Sequence, residues 1–265
     1  MPGDKTESGD ALRVVALPSG AAMPIVGFGT WQIQGQAAYD SVACALACGY
    51  RHIDTATVYG NEAQVGRALA DSGIAREELF VTTKMPPGQG RGAEETLAAS
   101  LRDLRIDYVD LWLIHWHPGR GRAVALYEAM LKAGSGGLAR AVGVSNFDSA
   151  DIDELIAATG VVPQANQVRL SPFEFDRALA RDLRERGVVL EGYSPFQASR
   201  MDHPVLVDLA RALGVSPAQV IVRWHVQHGI VVIPKSVHPE RIAENLDVFS
   251  FSLDDASMAR LDALS

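Results

Sequence analysis

Four polar residues of kinds that carry or hold protons recur at an almost even interval: Asp54, Lys84, His115 and Ser145 stand 30, 31 and 30 residues apart. Each closes a short apolar run, and Tyr59 follows Asp54 by five residues. A carboxylate, an ammonium, a phenol and an imidazole gathered on one rim suit proton transfer to an oxygen that gains negative charge. Ionising a free tyrosine at neutral pH costs about 4 kcal/mol. An ammonium about 4 Å away, at an effective dielectric near 20, offsets about that much. On this reading the Tyr59–Lys84 pair moves a proton in either direction near neutrality, Asp54 keeps Lys84 charged and oriented, and His115 donates a hydrogen bond to a substrate carbonyl oxygen. Taken one at a time, the same residues read as a helix cap, a solvated loop lysine, a core histidine and a packed tyrosine. Their joint arrival at successive strand ends makes them a set.

The elements that must position them are an alternation of short apolar runs and longer segments with helical periodicity. Strand candidates fall at 26–29, 52–54, 80–83, 109–114, 141–144, 165–168, 189–192 and 231–233. Helical segments lie near 37–48, 62–72, 93–104, 122–133, 149–159, 176–186, 216–228 and 239–248, with an extra one at 204–213. Ser216-Pro-Ala-Gln219 is a capping box with proline at the first helical position. Eight such repeats predict an α/β chain folded as a closed (β/α)8 barrel, whose active site forms at the C-terminal ends of the strands. The residues there are polar throughout: Asp54, Lys84, His115, Ser145 and Asn146, Gln167, Tyr193 and Ser194, Lys235 and Ser236. A hairpin from 14–17 and 23–26 is expected to plug the barrel floor. The rival, an open doubly wound sheet, lacks its fingerprint, because Gly27-Phe-Gly29 continues as Thr-Trp-Gln without a third glycine.

Composition narrows the partners. The chain has 265 residues, 48% of them apolar and 21% charged, and 24 basic against 32 acidic residues leave a net charge of −8. Such a charge repels phosphate backbones, so nucleic acid and anionic membrane are not expected partners. No run approaches the roughly 18 apolar residues of a membrane span. Residues 1–11 are polar and read as a flexible tail without signal-peptide character, and the glycine-rich patches 88–92 and 134–137 are of loop length. Cys44 and Cys48 are read as buried small apolar residues rather than metal ligands or a disulfide. A cytoplasmic, monomeric protein with one domain over 1–265 is expected.

Longer motifs sharpen this. Gly27-Phe-Gly-Thr-Trp31, Gly49-Tyr-Arg-His-Ile-Asp-Thr-Ala56, Tyr59-Gly-Asn-Glu62 and Thr82-Thr-Lys84 come first in the chain. Asp107-Tyr-Val-Asp-Leu-Trp-Leu-Ile-His-Trp116, Val142-Gly-Val-Ser-Asn-Phe147, Asn166-Gln167, Tyr193-Ser-Pro195, Ile233-Pro-Lys-Ser236 and Arg241-Ile-Ala-Glu-Asn245 follow. In this order they resemble the aldo-keto reductase family, in particular bacterial diketogluconate and aldehyde reductases. The resemblance implies a (β/α)8 barrel that reduces small aldehydes or ketones with NADPH and needs no metal. It implies Tyr59 as general acid, Lys84 and Asp54 tuning it, and His115 orienting the carbonyl. It places Ser145, Asn146 and Gln167 on the nicotinamide carboxamide with Tyr193 stacking on the ring, and counts Gly29, Thr30, Asp54 and Val237 among the cofactor-binding residues. Ser194, Pro195, Phe196 and Gln197 would line the pyrophosphate. Lys235, Ser236 and Arg241 would hold the 2′-phosphate, and Glu244 and Asn245 the adenine. Trp31, Val58 and Trp116 match positions of the family's substrate pocket.

Some positions depart from the family pattern. His238 stands where Thr or Arg is more usual, Arg169 and Ser171 stand where Glu and His are frequent, and no role is assigned to the latter two. His117, before Pro118, looks inserted and is expected to alter the substrate loop. The chain stops at Ser265 without the long C-terminal loop of larger members, so an open pocket is expected. Three rivals are weighed: a metal site begun by His115 and His117 with His52 nearby, a Schiff base on Lys84, and a non-catalytic NADP(H)-binding member.

Overall fold

A computed structural model describes residues 13–86, 92–119 and 121–265. The expected tail at 1–11 and residues 88–91 of the first glycine-rich patch lie outside them. The run Leu111–Ile114 is buried at every position, as a strand must be when one face meets the barrel interior and the other a layer of helices. Among the described residues eight strands, buried throughout except at the C-terminal ends of β8 and β9, pair in chain order: β3 (Phe28–Gly29), β4 (His52–Asp54), β5 (Phe80–Met85), β6 (Leu111–Ile114), β7 (Val142–Ser145), β8 (Ala165–Arg169), β9 (Val189–Tyr193) and β10 (Val231–Ile233). Every pairing among them is parallel. The ring closes where Val26 bridges Val232 and the Val232 N–H donates to Ile25 O at 2.9 Å. Glycine is required at this seam, because a Cβ on Gly29 would stand 2.9 Å from Ile233 O. Close strand approach, not a phosphate turn, explains Gly27-Phe-Gly29.

The helices that cover the barrel are α1 (Gly35–Cys48), α2 (Glu62–Asp71), α3 (Ala93–Leu104), α4 (Ala123–Gly134), α5 (Ser149–Thr159), α6 (Arg177–Glu185), α7 (Pro204–Leu213), α8 (Pro217–Gln227) and α9 (Pro239–Leu246). Most neighbours in the chain pack on one another, and α9 packs back on α1 to complete the outer ring. The Ser216 capping box forms as read, its Oγ accepting from Gln219 N at 3.2 Å. Below, β1 (Val14–Ala16) and β2 (Ala22–Pro24) form the expected antiparallel hairpin. It crosses the floor with Leu17 and Met23 buried, and Ser19 N donates to Gln164 Oε1 at 2.8 Å just ahead of β8.

Two expectations need correction, and one helix is added. Cys48 is exposed and Cys44 half-buried, because α1 buries the stripe Ala38, Ser41, Val42, Ala45 and Leu46, and both thiols fall beside it. Strand β5 runs on to Met85, so Lys84 lies within the strand instead of after it. A last helix, α10 (Asp255–Asp262), lies beyond the helical segments read from the sequence. Its start is capped by Asp254, and its end is held by Asp262 Oδ1, which accepts from Trp224 Nε1 at 2.7 Å and pairs with His228 Nε2 at 2.9 Å. Among the described residues no single helix is long and apolar enough to cross a membrane.

Candidate active site

At the C-terminal rim of the barrel opens a cavity of about 750 Å3. Its deepest feature is an ion pair: Lys84 Nζ lies 2.6 Å from Asp54 Oδ1, with both residues almost wholly buried. The ammonium also donates to Thr55 O at 2.9 Å, and Asp54 Oδ2 accepts from Gln167 Nε2 at 2.8 Å. Burial alone would pull Lys84 down, but Asp54 and then Tyr59 outweigh it and hold the ammonium above the ordinary lysine range. A fixed, protonated lysine is a poor Schiff-base nucleophile.

Tyr59 ends a short 3-10 turn, Thr57–Tyr59, closed by Gly60 in the left-handed region at φ 67°. Its hydroxyl stands 3.5 Å from Lys84 Nζ. The following Asn61 explains the Tyr-Gly-Asn-Glu run. Fully buried, it donates to Thr30 O and Ile33 O, both at 2.9 Å, and accepts from Thr55 Oγ1 at 2.8 Å. It thereby ties the Trp31 loop to the turn that carries Tyr59. Glu62, at the start of α2, accepts from Thr83 Oγ1 at 2.6 Å and anchors the same turn to β5.

Burial pushes the Tyr59 phenol up, the Lys84 charge opposes it, and the net shift is upward. The expectation of a tyrosine poised near neutrality is therefore corrected: desolvation exceeds the ammonium's help, and the phenol keeps its proton at pH 7. His115 packs edge-on to Tyr59 with ring centroids 5.5 Å apart. Its Nδ1 has no hydrogen-bond partner among the described residues. Burial, then the Lys84 charge, holds its pKa at about 3, so the imidazole is neutral.

Beside this group runs a polar wall. Ser145 Oγ donates to Gln167 O at 2.7 Å and accepts from Asn146 Nδ2 at 2.9 Å, while the Tyr193 hydroxyl donates to Asn146 Oδ1 at 3.0 Å. Asn146 and Ser194 both take left-handed backbone, φ 62° and 52°, a strain that side chains accept where a site demands it. The cavity wall holds Gly29, Trp31, Asp54, Val58, Tyr59, His115, Trp116, Ser145, Asn146, Gln167, Tyr193, Ser194, Pro195, Phe196, Gln197 and Lys235. Lys84 lies behind it, and so does Thr30, whose Oγ1 donates to Asp54 O at 2.9 Å. Ser236, Val237, Arg241, Glu244 and Asn245 are not on the wall; they continue from Lys235 through the loop into α9. Ser236 Oγ accepts from His238 N at 3.1 Å, which shapes that loop.

Gln32, Gln34, Arg169 and Ile233 line the cavity without having been singled out for it. Arg169 donates to both oxygens of Glu174, at 2.8 and 3.0 Å, and to Gln197 O at 3.2 Å. It ties two loops of the rim together, and Ser171, whose Oγ donates to Ala198 O at 2.6 Å, does the same from beneath. The departure from the family pattern at 169 was the available signal. His117, expected at the substrate loop, turns away to Asp151 at 3.3 Å, with its ring against Phe147. His52 lies at the other end of β4, 3.3 Å from Pro24 O, so the three histidines do not converge.

The family is then shown by comparison. The chain belongs to the aldo/keto reductase family, whose model matches residues 25–265. It is 43% identical over 269 residues to morphine 6-dehydrogenase of Pseudomonas putida, covering 95% of this chain and 90% of that protein. It is 40% identical over 279 residues to glycerol 2-dehydrogenase (NADP(+)) of Saccharomyces cerevisiae, covering 93% and 89%. The crystal structure of an aldo/keto reductase from Brucella melitensis superposes with a TM-score of 0.91 at 39% identity, covering 95% of this chain and 99% of that one. The chain is thus an oxidoreductase of a family that uses nicotinamide cofactors and acts on small carbonyl compounds.

The neutral state of His115 can be checked without any substrate. Its ring resonances in a pH titration should stay flat from pH 8 to 5, because the proton is gained only near a pKa of about 3. A transition near the ordinary histidine value of about 6.5 would contradict the site described above.

Proposed function

We propose that the protein reduces aldehydes and ketones to alcohols with NADPH, Tyr59 donating the proton. The observation that carries this reading is the line Tyr59 hydroxyl, Lys84 ammonium, Asp54 carboxylate, at 3.5 and 2.6 Å, opening on a cavity beside a neutral His115. A carbonyl oxygen that gains negative charge is more basic than a phenolate, so Tyr59 gives up its proton as that charge develops. Lys84 then steadies the phenolate without moving, since it is already charged and held. His115, uncharged, offers an N–H to the same oxygen and orients it. Solvent through the open mouth restores the Tyr59 proton.

The residues fit a dinucleotide cofactor by their chemistry. Ser145, Asn146 and Gln167 present hydroxyl and amide groups matched to a carboxamide, and half-exposed Tyr193 offers an aromatic face beside them. Ser194 to Gln197 supply a rim segment for the pyrophosphate, and Asp54, Gly29 and Thr30 back the ring end. Exposed Lys235 and Arg241, with Ser236 and Val237 between them, form a cationic run for a 2′-phosphate, with Glu244 and Asn245 beyond for adenine. When bound there, NADPH supplies the hydride. The yeast relative is an NADP(+)-dependent glycerol 2-dehydrogenase, which favours this choice. Trp31, Val58 and Trp116 remain 44%, 60% and 51% exposed around the mouth, which favours apolar or aromatic carbonyl substrates.

Two measurements check the reading. Tyr59→Phe should lower NADPH-dependent reduction across an aldehyde and ketone panel by about 100-fold or more, while NADPH still binds. Normal reduction by that variant would refute the acid. Lys235→Ala should weaken NADPH by about tenfold and NADH little. Equal weakening of both would refute the 2′-phosphate assignment.

A further inference from the structure

One buried acid of the barrel interior has no part in the scheme above. Glu191, in the middle of β9, is 0% exposed, and neither carboxyl oxygen has a hydrogen-bond partner among the described residues. Its register neighbours are Gln167 on β8 and Val231 on β10. Gln167 in turn donates to Asp54 Oδ2 at 2.8 Å, and Asp54 Oδ1 holds Lys84 at 2.6 Å. Glu191 therefore sits one side chain below the ion pair that serves Tyr59.

On its other side is His52, also 0% exposed, with Nε2 3.8 Å from Glu191 Oε1. His52 Nδ1 lies 3.3 Å from Pro24 O, and a carbonyl only accepts, so the ring proton belongs on Nδ1. That assignment leaves Nε2 as a lone pair, facing Thr82 Oγ1 at 3.1 Å and the Glu191 oxygen. A carboxylate facing a lone pair is repelled, whereas a carboxylic acid has a proton to present. Gly27 makes this seat possible, since a Cβ there would stand 2.5 Å from His52 Nδ1.

We propose that Glu191 is a positioning residue that acts on the Tyr59 proton through the buried Asp54–Lys84 pair, uncharged near neutral pH and adding a second negative charge beneath Lys84 when it ionises. The proposal rests on the reading of Tyr59 as the acid. Burial, and then the Asp54 charge, push the Glu191 carboxyl up to about 8, against the Gln167 amide and the Lys84 ammonium. The other groups facing it are His52 and Asp54 from β4 and Lys84 from β5; Gln167 and Val231 carry no charge. Burial holds His52 neutral with a pKa of about 4. His225 of α8 packs on the opposite side of β9, beside Gly192, and is likewise neutral with a pKa of about 4.

The direction follows from charge. While Glu191 is neutral, Asp54 and Lys84 balance each other below Tyr59. Once it ionises, the net charge there is negative and opposes loss of the Tyr59 proton. Carbonyl reduction, which needs the phenol, is thus sustained at alkaline pH, and alcohol oxidation, which needs the phenolate, is held back.

The test compares pH profiles of kcat/KM, in both directions with one substrate pair, for wild type and Glu191→Gln. The variant should match wild type near pH 6.5, lose reduction at lower pH than wild type, and fall about threefold to tenfold below it at the alkaline end. Its oxidation should set in earlier. Glu191→Leu, which also cannot ionise, should shift both profiles the same way and serves if the glutamine variant does not fold. Superimposable profiles, or a loss of equal size at every pH, would overturn the proposal alone. Normal reduction by Tyr59→Phe would remove the Tyr59 reading and this proposal with it.

Discussion

The Lys84–Asp54 ion pair is the constraint around which the barrel interior is arranged. Its atoms are 2.6 Å apart, with side-chain exposures of 0% and 2%. Taking each ion out of water costs several kcal/mol, and such a pair often contributes less to stability than apolar residues of the same volume. Its presence is accounted for by chemistry: it supplies a positive charge that needs no reorganisation when a phenolate forms beside it. The surrounding residues satisfy what the pair leaves over. Thr55 O accepts a further hydrogen bond from the ammonium, and the Gln167 amide donates to the second carboxylate oxygen.

That arrangement is possible because β4 and β5 are parallel neighbours in a closed ring, with Asp54 opposite Thr82 in register and Lys84 two residues further along. Side chains that alternate in and out of the barrel then bring a carboxylate and an ammonium from sequence positions 54 and 84 to one point. Around the rim, Asn61 locks the turn bearing Tyr59 to the loop bearing Trp31 by three hydrogen bonds. Arg169, clamped on Glu174 and Gln197, plays the matching part on the far side. The site is thus rigid at its base and joined loop to loop at its mouth.

Much of this was legible in the sequence because a (β/α)8 chain announces itself by its period. Most residues that end the apolar runs face the cavity, so Asp54, His115, Ser145, Asn146, Gln167 and Tyr193 could be picked out by position, with Tyr59 five residues beyond Asp54. What could not be read depended on contacts distant in the chain. Gly27 and Gly29 look like half of a phosphate turn until Ile233 and His52 are seen against them. Glu191 looks like one polar residue in an apolar strand, and only its register with Gln167 places it under the ion pair. The direction of the Tyr59 shift also escaped, since pair distance was accessible to argument and burial was not. The thiols of α1 were misplaced for a simpler reason: small residues blur the helical stripe, so the buried face could not be told from its flank.

If the pair is kept for chemistry and not for stability, the direct test is to replace it whole. Asp54→Leu combined with Lys84→Met removes both charges while retaining apolar volume. Unfolding by urea should show the doubly substituted protein within about 2 kcal/mol of wild type or more stable. Its carbonyl reduction, with NADPH saturating, should fall by about 100-fold or more. Turnover close to wild type in that folded protein would contradict the account.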